Sequence, residues 1–110
     1  SVRASRGFWF YEEPLTEDAD VIAALVATAS DPASYMPHRW AKLCGGFHPD
    51  IRLEFSDDLG SAAVLFCLTC HEARFESPGV SLTLDLTDDA HLAVRDLANT
   101  LWRHHEPFEH

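Results

Sequence analysis

The sequence predicts a two-layer α+β domain: an antiparallel sheet of about four strands with two helices packed on one face. The predicted order is strand, helix, strand, strand, strand, helix, within one domain spanning residues 1–110. Three observations lead there. Two segments carry apolar residues at helical spacing behind polar N-terminal caps, three others alternate or run apolar as strands do, and short turn clusters separate the strands. Short turns between consecutive strands imply antiparallel pairing.

Taken in order, Phe8–Tyr11 is an aromatic run of high strand propensity. Thr16-Glu17-Asp18-Ala19 then opens a helix, with Thr16 as N-cap and acids that complement the positive helix end. Val21, Ile22, Leu25, Val26 and Ala29 form its inward stripe, and Pro32 should stop it near Ser30–Asp31. Ile51, Leu53 and Phe55 alternate with Arg52 and Glu54, as in a strand buried on one face. A Ser56-Asp57-Asp58-Leu59-Gly60 turn leads to Ala62–Leu68, a central strand buried on both faces. Ser77-Pro78-Gly79 is a second turn, followed by Val80, Leu82, Leu84 and Leu86 alternating with polar residues. Thr87-Asp88-Asp89-Ala90 opens the second helix, which buries Val94, Leu97, Ala98 and Leu101 and should run to about His104.

Composition narrows the function classes. Eight Lys+Arg against 18 Asp+Glu give a net charge of −10, a surface that repels a phosphate backbone, so nucleic acid is not an expected partner. A basic protein would be attracted instead, and an inhibitor or immunity-type partner of such a protein is one reading. The longest apolar runs, Val21–Ala27 and Ala62–Leu68, fall far short of the ~20 residues needed to span a bilayer, and no membrane association is expected. No signal peptide follows Ser1-Val2-Arg3, which leans towards the cytoplasm while leaving an exported form open. P-loop, dinucleotide-binding and nucleophile-elbow patterns are missing, and the adjacent acid pairs read as turns and helix starts; an enzyme is not expected.

Residues 31–50 form a long link with Pro32, Pro37, Pro49 and a Gly45-Gly46 pair. Tyr35, Met36, Trp40, Leu43 and Phe47 make it too apolar for a solvated linker, so the body of the protein must hold it. It ends in Cys44-Gly45-Gly46-Phe47-His48-Pro49-Asp50, and the central strand ends in Cys67-Leu68-Thr69-Cys70-His71. Pairing of the strands at 51–55 and 62–68 brings the two blocks together. Cys44, His48, Cys67 and Cys70 are then candidate ligands of one zinc ion, since Cys₃His is a standard closed site, with His71 the competitor for the fourth place. Joint ligation by Cys67 and Cys70 requires a turn or bulge at Leu68–Thr69, because residues three apart in a regular strand face opposite ways. Two other readings fit the same residues. One is disulfide chemistry, as a bond from Cys44 to one of the other two or as a redox protein using Cys67 and Cys70 with Cys44; the other is unpaired structural thiols.

The blocks Leu-Cys-Gly-Gly-Phe-His-Pro-Asp (43–50) and Leu-Phe-Cys-Leu-Thr-Cys-His-Glu (65–72) resemble small bacterial proteins of unknown function. In that group a Cys-containing, Pro/His-bearing loop precedes a strand, and a hydrophobic strand ending Cys-x-x-Cys follows about twenty residues later. The resemblance covers residues 41–76 and implies that Cys44, Cys67 and Cys70 belong to one site; it implies no activity. The expected function is therefore a non-enzymatic binding or structural module built around a Cys/His metal or thiol cluster.

Overall fold

Strict alternation in Ile51–Asp57 and the apolar run of Gly60–Cys67 make the central hairpin of the fold, β3 and β4. In the computed structural model, which describes residues 2–6, 18–38 and 46–110, their register runs from Ile51 opposite Phe66 to Asp57 opposite Gly60. The turn closes because the Asp57 carboxylate accepts the backbone N–H of Leu59 at 2.8 Å and of Gly60 at 3.1 Å.

The sheet is antiparallel, as expected, but has six strands among the described residues rather than about four, in the order β1-β3-β4-β5-β6-β2. Three of these were not expected: β1 (Val2–Arg6), β2 (Tyr35–Pro37) and β5 (Glu72–Ser77). Strand β5 lies between β4 and β6 (Val80–Leu86), so the meander has one more strand than its turn signals imply. Its alternation of Ala73 and Phe75 with Glu72, Arg74 and Glu76 is a legible period-2 signal. Strand β2 is only three residues long, too short to carry a period, and turns the first part of the supposedly irregular link into the far edge of the sheet. The strand expected at Phe8–Tyr11 lies outside the described residues.

Helix α1 (Ala19–Ser30) ends where Pro32 requires. Its N-cap is Asp18, whose side chain caps no N–H and instead accepts from Arg103 Nη1 at 2.8 Å, tying the start of α1 to the end of α2; the expected cap, Thr16, lies outside the described residues. Helix α2 (Asp88–Leu101) is capped as predicted, with the Thr87 hydroxyl accepting from the N–H of Ala90. It stops before His104 because Trp102 leaves helical geometry (φ −108°) and buries its ring in the core. The tail beyond is held to the body through Phe108. Asn99 donates to the Phe108 carbonyl and accepts its N–H, and Arg6 stacks over the Phe108 ring.

Residues opposite each other in an antiparallel ladder share a face. Ala4, Ile51, Leu53, Val64, Phe66, Ala73 and Leu86 therefore line one side of the sheet and form a single buried cluster with Ile22, Leu25 and Ala29 of α1 and Val94, Ala98 and Leu101 of α2. Both helices thus pack on one face, as the sequence predicts. The opposite face carries one row of chemically active residues: Cys67 opposite Glu72, Glu72 opposite Asp85, and Asp85 opposite Met36.

Candidate functional site

The strand containing Cys67 ends there, and residues 68–71 form the turn that the Cys-x-x-Cys spacing requires if both cysteines are to approach the link. His71 occupies a left-handed conformation in it (φ 55°), uncommon for a side chain with a Cβ. Its ring stacks on buried His91, 3.7 Å between centroids, and a ring nitrogen of His91 lies 3.0 Å from the Leu68 carbonyl. His71 is therefore a turn residue, not the strand residue expected.

Residues 46–50 are held against this turn. Gly46 takes φ +92°, the backbone freedom expected of the glycine pair. The Phe47 ring lies under the Arg74 guanidinium at 4.2 Å, on the face away from the helices. Asp50 accepts the Leu68 N–H at 2.9 Å through its side chain and donates its own N–H to the Phe66 carbonyl at 2.8 Å.

The structure brings three of the four predicted ligand residues to this junction. Cys67 is fully buried and a free thiol, and its Sγ accepts the backbone N–H of His48 at 3.3 Å. The His48 ring points elsewhere, with Nε2 3.6 Å from Asp50 Oδ1. Cys70 is disulfide-bonded, and its Sγ lies 3.3 Å from the Gly46 carbonyl; an oxidised sulfur has no proton to donate, so this is a packing contact. Cys44 lies outside the described residues. Burial pushes the Cys67 thiol pKa up, the N–H groups of His48 and Cys70 oppose that, and nearby Asp50 and Glu72 reinforce it. Cys67 is held as a protonated thiol, the unreactive form.

A second group, missed from sequence, stands on the same face. Glu72 and Asp85 are directly opposed on β5 and β6 and more than nine-tenths buried. His38, just after β2, places Nδ1 3.3 Å from Glu72 Oε2 and 3.1 Å from Asp85 Oδ1. One ligand-capable atom from each residue lies within 4.8 Å of the other two. Glu72 and Asp85 occupy the polar positions of two alternating strands, on the face away from the helices, so period-2 patterning reads them as solvent-facing and only their burial reveals them.

No family model, curated protein or solved structure matches the chain. Among the described residues no helix is long and apolar enough to cross a membrane.

Proposed function

We propose that the chain is a non-enzymatic binding or structural module in which a disulfide between Cys44 and Cys70 staples the 31–50 link to the turn after β4. The observation that carries this reading is that Cys70 is disulfide-bonded while Cys67 is a buried free thiol. Of three cysteines in the chain, Cys44 is then the one left to pair. The contacts at Phe47, His48 and Asp50 support it, because they hold the adjoining residues on the same surface.

This reading displaces zinc at Cys44, His48, Cys67 and Cys70, since that site needs Cys70 as a thiolate and the His48 ring turned inward. It also disfavours a redox enzyme. Attack on the disulfide would require Cys67 as a thiolate, and its burial beside Asp50 and Glu72 opposes that form. A net charge of −10 makes a basic protein the partner class that such a module attracts.

Peptide mapping of the unreduced protein tests the staple. A Cys44–Cys70 cross-linked peptide with Cys67 alkylated only after unfolding is expected. Three alkylated cysteines in the unreduced, unfolded protein overturn it, as does a Cys67–Cys70 link.

A further inference from the structure

We propose that His38, Glu72 and Asp85 form a binding site for a divalent first-row transition-metal ion. This goes beyond the stapled-module reading and uses none of its cysteines. Two acidic residues on adjacent strands are directly opposite and buried, and a third donor of different chemistry, an imidazole nitrogen, approaches both from a separate segment. The Nδ1–carboxylate separations of 3.3 and 3.1 Å match ligands already sharing one ion. With metal–ligand bonds of about 2.0–2.1 Å, neighbouring ligands of a tetrahedral ion stand about 3.3 Å apart. Ion capture therefore needs little movement of the strands.

The donor set selects the ion class. One imidazole and two carboxylates suit zinc, iron(II) or manganese(II) better than copper(I), which prefers sulfur, or calcium, which takes six to eight oxygens. Three protein ligands leave at least one position for water or for a partner's side chain. Nδ1 must offer its lone pair to the ion, so His38 would carry its proton on Nε2 in the loaded form. The rival arrangement is His38 acting as the cation itself, ion-paired with both acids.

Zinc titration calorimetry on the full-length protein separates these. The background is H104Q/H105Q/H110Q, which removes the tail histidines as adventitious ligands. One equivalent of zinc should bind, with affinity at least tenfold weaker in H38Q and in D85N and unchanged in C67S. His38 is over a third exposed, so H38Q carries the test if D85N fails to fold. Manganese(II) should broaden the amide signals of residues 36–38, 72–73 and 84–86 before others, and this readout is independent of the variants. No zinc binding in the tail-histidine variant overturns the proposal, as does affinity indifferent to H38Q. Binding lost in C67S but not H38Q would instead restore a cysteine site and would also overturn the staple.

Discussion

Glu72 and Asp85 face each other across β5 and β6 with both carboxylates buried, and His38 Nδ1 stands within 3.3 Å of each. Like charges directly opposed in a ladder destabilise it, and a hydrogen bond between the imidazole and a carboxylate offsets part of that. The imidazole is therefore part of what keeps this pair tolerable. Replacing His38 with Ala should lower stability by about 1 kcal/mol, the net worth of a charge-assisted hydrogen bond being about 1.5–3 kcal/mol before partial exposure is allowed for. Urea unfolding at neutral pH measures it; an unchanged midpoint would show that the acids are served without His38.

Opening the staple should cost more. A disulfide from Cys44 to Cys70 closes a loop for which chain entropy predicts about 3.5 kcal/mol, and real bonds often give less. Cys44→Ser should thus lower the unfolding free energy by about 2–3 kcal/mol. Reduction of the wild type should lower its melting temperature to that of the variant. A melting temperature insensitive to reductant argues against the bond.

Cys67 should resist thiol reagents. It is fully buried and its pKa is pushed up by burial, so aromatic disulfide reagents at neutral pH should leave it unmodified until the chain unfolds. Modification at the rate of a free thiol in the folded protein would contradict this environment.

Tyr35 links stability to alkaline pH. Its hydroxyl donates to the Ala29 carbonyl at 2.6 Å, and burial raises its pKa to about 12 from an unfolded value near 10.0. The folded state holds this proton more tightly, so its stabilising contribution is full below pH 10 and lost as pH rises towards 12. Tyr35→Phe should flatten that part of the profile in chemical denaturation across the same range. An unchanged slope would assign the alkaline loss to other groups.

Thr87→Ala removes the side-chain cap of α2, where the hydroxyl accepts from Ala90. A loss of about 1 kcal/mol is expected, with Thr87→Ser recovering most of it. Equal losses in both variants would point to packing of the Thr methyl instead.

Much of the fold was legible locally. The end of α1 before Pro32, the Thr87 cap, the Asp57 turn and the β3–β4 hairpin each depend on residues within a few positions of one another. Stripes at periods of 3.6 and 2 then assign the faces, and those are written in the order of residues alone. The approach of residues 46–50 to Cys67 and Cys70 was legible for the same reason, since a hairpin returns the end of β4 to the start of β3.

Tertiary structure decided the rest. Strand β2 exists because β6 offers a free edge, and the order β4-β5-β6-β2 alone brings His38 to Glu72 and Asp85. Three residues carry no period, and convergence of side chains far apart in sequence depends on which strands become neighbours. The oxidation state of the cysteines was equally undetermined: spacing allows metal, disulfide or thiol. Only the tertiary structure separates the two: Cys67 ends β4 as a buried free thiol, and Cys70 sits in the turn after it, disulfide-bonded.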